Sequence, residues 1–213
     1  MNSEEFSANE IPAEPTHKKQ PGGKPGRFWG GLVVGIVAGV AGCLIVQKVD
    51  GNLNKRFDYD LNGDGKTDQS IYMKNGLYVA QKTDRNFDGR WDEWYDFENG
   101  ILARVAVDDN FDGQADGWWT CSNGLFVSFQ KDTDYNGVPD VTCTYKDGRI
   151  VKSEWQPNGT NIITLRELFP NGNFAEEFRD IDGDGWFDLN IKFDAFLKPI
   201  QTNNVHLPSR PRP

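Results

Sequence analysis

Carboxylates recur in this chain at a spacing that suits a divalent cation. Asp60, Asn62, Asp64 and Asp68 form the first set. The others are Asp84, Asn86, Asp88 and Asp92; Asp108, Asn110, Asp112 and Asp116; Asp132, Asp134, Asn136 and Asp140; and Asp180, Asp182, Asp184 and Asp188. In every set the oxygen-bearing side chains stand at positions 1, 3, 5 and 9 of a nine-residue stretch, with Gly at position 6. Alternate residues of a tightly curled loop point inward, and Asp and Asn converge there with little rotamer entropy to lose. Like charges packed so closely repel unless a cation joins them. An all-oxygen donor set with irregular geometry fits Ca2+, which takes about 6–8 oxygens. The expectation is about five calcium sites. Sixteen of the chain's 32 acids are loop ligands, so cations would bring a chain of formal charge −9 near neutrality.

The sets begin at residues 60, 84, 108, 132 and 180, a period of 24 with one copy missing at 156. Gln156–Thr164 stands there in register with its acids gone. The chain therefore reads as six repeats: 60–83, 84–107, 108–131, 132–155, a degenerate 156–179, and a capping 180–202. A fixed period in this range marks a repeat architecture.

The loops resemble the first part of the EF-hand calcium loop, in which positions 1, 3 and 5 give side-chain oxygens, position 7 a carbonyl, and Gly at 6 allows a sharp turn. They depart from it at the far end. Position 12 holds Ile71, Tyr95, Trp119, Cys143 and Ile191, with no Glu, and the Asp at position 9 closes the loop. That ending is similar to the calcium loops of thrombospondin type 3 and FG-GAP repeats. The resemblance covers the nine-residue loops and implies metal binding alone.

Each loop is followed by an alternating run, a two-residue turn and a second run. The turns are Asn75-Gly76, Asn99-Gly100, Asn123-Gly124, Asp147-Gly148 and Asn171-Gly172. These pairs favour the type I′ turn, whose twist suits a two-residue hairpin. The predicted fold is an all-β repeat domain of six calcium-loop plus β-hairpin units. Two arrangements stay open: an antiparallel meander, similar to the sheet of MORN hairpin repeats, and a solenoid or closed superhelix. A two-residue turn places repeat position 14 opposite 19 and 12 opposite 21. Positions 12, 14 and 19 read as the apolar core face, and Trp94 and Trp118, on the other face, as a candidate ligand face. Cys121 and Cys143 share a face in successive repeats. In a meander an intervening strand holds them about 10 Å apart, too far for a disulfide, whereas coiling would permit one.

Upstream, residues 1–27 are polar and Pro-rich and read as a disordered cytoplasmic tail. Residues 28–46 carry no charge and are long enough for a transmembrane signal-anchor helix, since about 20 apolar residues cross a bilayer. Lys18, Lys19, Lys24 and Arg27 before it predict a cytoplasmic N-terminus and extracytoplasmic repeats. Residues 47–59 read as linker and first strand. A competing reading makes Cys43, after Val40-Ala41-Gly42, the lipidated residue of a bacterial-type lipoprotein. Gly31, Gly35 and Gly39 form GxxxG steps that suit a helix-mediated homodimer. Residues 203–213, rich in Pro and Arg, read as a disordered tail.

No enzyme is expected. His17 and His206 are the two histidines, both in tails, which leaves no His-based triad or zinc site. Carboxylate pairs that a glycoside hydrolase needs are plentiful, yet they follow the repeat, where a catalytic pair would break it; Glu176-Glu177 is the one acidic cluster off the period. The acidic domain would repel nucleic acid. The leading reading is a membrane-anchored extracytoplasmic calcium-binding repeat protein acting as a structural or protein-interaction module. The alternative is a calcium-stabilised glycan- or cell-wall-binding module, with a carboxylate-dependent glycoside hydrolase as the remote one.

Overall fold

The structure, a computed structural model, describes residues 54–157 and 160–210. The cytoplasmic tail, the anchor helix, its GxxxG stripe and the Cys43 lipidation site all lie outside the described residues. Among the described residues no helix is long and apolar enough to cross a membrane.

Among the described residues thirteen strands form one sheet in strict sequence order, every pair antiparallel. They are β1 Lys55–Tyr59, β2 Gln69–Lys74, β3 Leu77–Thr83, β4 Glu93–Glu98, β5 Ile101–Val107, β6 Gly117–Ser122 and β7 Leu125–Lys131, then β8 Val141–Lys146, β9 Arg149–Trp155, β10 Leu165–Leu168, β11 Glu176–Arg179, β12 Trp186–Phe193 and β13 Pro199–Pro208. The chain is an open meander, and the solenoid and closed alternatives fall away. This connectivity sets the whole layout. Every acidic loop lies at one end of the strands and every short turn at the other.

The turns are built as their composition demands. Asn75, Asn99, Asn123 and Asp147 have φ of 51–52°, and the glycines after them 72–79°, the paired positive φ of a type I′ turn. Met73 faces Tyr78, Phe97 faces Leu102, Cys121 faces Phe126 and Tyr145 faces Ile150, so position 14 meets 19 as expected. The next step differs. Val79, Ala103, Val127 and Val151 are each skipped, so position 12 meets 22 where 21 was expected; Ile71 faces Gln81 and Tyr95 faces Val105. One β-bulge per hairpin, at the same repeat position, corrects the register. Bulges of this kind raise the local right-handed twist, and their regular recurrence twists a sheet of this width.

The core moves accordingly. Positions 14 and 19 are half-buried and join in aromatic contacts such as Tyr78–Phe97 and Phe126–Tyr145. Burial is deepest nearer the loops, where Val105, Ala106 and Val107 of β5 are shielded and Trp118 is 6% exposed against Ala106 and Ala115. Trp94 packs on that cluster. Trp118 therefore lies in the core, and Trp94 is half-buried beside it. Cys121 and Cys143 are free thiols separated by β7, the outcome expected of a meander.

Two further expectations change at the C-terminal side. Asn171-Gly172 sits in a 3-10 turn, Pro170–Gly172, because Pro170 lacks the N–H that a tight hairpin would use. Residues 203–208, expected in a disordered tail, lie in β13, which pairs with β12 across two register shifts. His206 stacks on Trp186 at 4.4 Å there. Among the described residues β13 has no strand on its far side, and its Pro199 and Pro208 suit such an edge.

Candidate metal centres at the loop end of the sheet

Each acidic loop is wound around its own side chains. In Asp84–Asp92 the Asp84 carboxylate accepts from the N–H groups of Phe87 and Gly89, both at 2.7 Å. Asn86 Oδ1 accepts from Asp88 N–H at 3.0 Å, and Asp88 Oδ1 from Arg90 N–H at 2.8 Å. Asp92 Oδ2 closes the loop by accepting from Arg85 N–H at 2.7 Å. The same scheme recurs at Asp60–Asp68, where Asp60 accepts from Gly63 and Gly65 and Asp68 from Leu61. It recurs in part at Asp108–Asp116, Asp132–Asp140 and Asp180–Asp188. Backbone N–H groups thus curl the loop while the inward oxygens keep lone pairs for a further partner.

The loops are also joined to one another. Asp84 N–H donates to the Asp68 carbonyl at 2.7 Å, Asp108 to Asp92 at 2.8 Å, and Asp132 to Asp116 at 2.8 Å. Gln156 bonds to Asp140 at 2.7 Å and Asp180 to Thr164 at 2.9 Å in the same way. Positions 1 and 9 therefore continue the sheet ladder, and their side chains form a row across the strands. Asp68, Asp84, Asp92, Asp108, Asp116, Asp132, Asp140 and Asp180 are all buried. Asp60, with no loop before it, is exposed, and Asp188 is half-buried. The ligands at positions 3 and 5 are exposed or half-buried, so each loop has a buried floor and an open rim.

In two loops three carboxylates meet directly. Asp132, Asp134 and Asp140 bring ligand oxygens within 4.8 Å of one another, as do Asp180, Asp182 and Asp188. The remaining loops also carry three carboxylates each, with Asn at position 3 and Asp at position 5. Burial, with like charges beside it, pushes Asp92, Asp116 and Asp132 above the usual carboxylate range. Burial pushes Asp140 furthest, to about 6, against the hydrogen bonds from Thr133. Asp140 Oδ2 accepts from the Thr133 hydroxyl at 2.7 Å, while Oδ1 is buried with no partner. A buried oxygen left without a donor costs about 1–3 kcal/mol or more, and a cation beside Asp132 and Asp134 removes that cost. The donor chemistry fits a hard divalent ion.

The degenerate fifth loop carries a protein cation instead. Gln156, at position 1, accepts a hydrogen bond from the Arg210 guanidinium. Arg210 is brought there by Ser209, whose N–H donates to Gly185 and whose carbonyl accepts from Arg166 at 2.6 Å. The spacing alone identified all five acidic loops. It missed the C-terminal return to loop five, for which the basic Ser209-Arg210 segment was the only signal.

No protein-family model matches the chain, and no curated protein matches it. Among solved structures it is similar to a chain in the crystal structure of accessory secretory protein 1, 2 and 3 in Streptococcus pneumoniae, with 16% identity and a TM-score of 0.34. The match covers 48% of this chain and 19% of that one, so this chain spans a small part of its length. A likeness at that level carries no argument about fold or function.

Proposed function

We propose that this chain is a calcium-binding repeat protein, anchored in a membrane through residues 28–46, whose extracytoplasmic sheet serves as a structural or protein-interaction module. The observation that supports it best is Asp140 Oδ1, buried and without a donor inside a cluster of three carboxylates. Asp132, Asp134, Asn136 and Asp140 would hold one ion, and the matching residues of the other acidic loops would hold four more. Bound calcium would neutralise the row of buried acids and fix the loops that link the hairpins. The acids follow the repeat, which is what a role in shaping the array requires and what a catalytic pair would violate. A setting outside the cell suits weak sites, with Kd on the order of 10⁻⁴–10⁻³ M.

Calcium stoichiometry tests this. Equilibrium dialysis of the full-length chain in mild detergent, with calcium raised to saturation, is expected to return about five ions per chain, and four for Asp140→Asn. A fully ordered sheet that retains no calcium would sink the proposal.

A further inference from the structure

The end of β13 turns back over the sheet. Pro208 lies opposite Trp186 at the start of β12. The next residue, Ser209, is 3% exposed. Its N–H donates to the Gly185 carbonyl at 2.9 Å, and its carbonyl accepts from Arg166 on β10, two strands further in. Arg210 then reaches Gln156 in the fifth loop. Residues 206–210 thus form a strap across one face of the sheet. On that face Thr142, Glu154, Arg166 and Phe178 are successive cross-strand neighbours on β8 to β11. With Pro208 and Arg210 they line a cavity of about 860 Å³.

The strap is fastened to the last acidic loop through two adjacent residues. Gly185 and Trp186 are positions 6 and 7 of Asp180–Asp188. Gly185 gives its carbonyl to Ser209, while its own N–H donates to Asp180 Oδ2 at 2.9 Å. The Trp186 ring stacks on His206 at 4.4 Å, and the Trp186 N–H donates to Asp184 Oδ1 at 2.8 Å. Both anchors are therefore held from the other side by carboxylates that the calcium reading makes ligands. This loop also needs a cation most. Four carboxylates stand among its ligands where the other acidic loops have three, and Asp180, Asp182 and Asp188 bring oxygens within 4.8 Å of one another. Without an ion those charges repel. As the carboxylates part, they carry the Gly185 and Trp186 peptides with them, and the strap keeps only its side-chain holds on Arg166 and Gln156.

We propose that residues 206–210 are a calcium-controlled strap. An ion in the last loop holds the strap over the cavity, and loss of that ion releases it and opens the cavity. The strap rests on the calcium reading of this one loop.

The test is thiol labelling of the full-length chain in detergent, read at each cysteine by peptide mass spectrometry. Ser209→Cys places a thiol on the strap, and Cys143, 4% exposed on β8, reports general unfolding. In saturating calcium, residue 209 should label slowly. Adding Asp182→Asn and Asp184→Asn empties the last loop while the other four stay loaded. Labelling at 209 should then speed up about tenfold or more, as local opening replaces protection, with Cys143 unchanged. Asp64→Asn empties the first loop instead and should leave 209 protected. Amide hydrogen exchange across residues 204–210 in chains that keep Ser209 should follow the same pattern. A last-loop variant that loses one ion by equilibrium dialysis, yet stays protected at 209, overturns the strap and leaves the calcium reading standing. Fast labelling at both 209 and Cys143 also overturns the strap, because release is then general unfolding. So does a last-loop variant that keeps all its ions. Parent chain that binds no calcium sinks both readings.

Discussion

Removing divalent cations is expected to lower the melting temperature of the sheet by tens of degrees. A ligand that binds only the folded form contributes about 2.7 kcal/mol per site at a hundredfold excess over Kd. Five such sites would together match the net stability of a typical domain, about 5–15 kcal/mol, and for a chain of this size each kcal/mol moves the midpoint by about 2–4 °C. The fold makes the dependence severe. The strands contact chiefly their neighbours in sequence, so among the described residues no second layer stands behind the loops to hold them if the buried acids repel. Circular dichroism melts in excess calcium and in excess EDTA measure the effect. Superimposable curves would show that the aspartates need no ion.

The second large effect is an inversion of pH dependence with metal. Asp92, Asp116, Asp132 and Asp140 are held above their ordinary range by burial. The folded metal-free chain therefore binds protons more tightly than the unfolded chain between about 4 and about 6. Stability falls with rising pH where the folded state holds more protons, so metal-free protein should melt at a higher temperature at pH 5 than at pH 7. The opposite contributions lie lower. Asp109 is half-buried, but hydrogen bonds from Lys131 and Arg85 outweigh that burial and bring it below its usual value. Glu154 behaves alike through Lys152 and Arg166, and Asp58 through Ser70 and Arg56. Their contribution is present above the unfolded values and is lost only as pH falls past about 4. Calcium-loaded protein should show the reverse slope between pH 7 and 5, because protons compete with the ion for the same oxygens. Asp140→Asn should flatten the metal-free slope. Parallel slopes with and without calcium would count against metal at these residues.

The loops, the type I′ turns and the all-antiparallel hairpins were legible because each is local. Nine residues suffice to specify a curl of Asp and Gly, and Asn-Gly alone specifies paired positive φ. What was not legible depends on partners distant in sequence. The bulge at Val79, Ala103, Val127 and Val151 leaves no mark in composition, since a valine or alanine fits a regular strand equally well. It shifted the pairing by one residue and moved the deepest burial toward Trp118, where the period-two pattern had assigned a ligand face. β13 carries Pro199, from the expected capping repeat, and Pro208, which read as tail, and an edge strand tolerates them only because its outer side needs no donors.

The carbonyl that ends one loop receives the first N–H of the next, and this linkage makes neighbouring loops share their order. An ion entering one loop straightens the frame of the following one, so filling should spread along the first four as a zipper closes. At the fifth, where the acids are missing, the Arg210 guanidinium donates to Gln156. The same backbone linkage runs through the fifth loop to the last, where Gln156 bonds to Asp140 and Asp180 to Thr164, so order should pass on to the terminal loop as well.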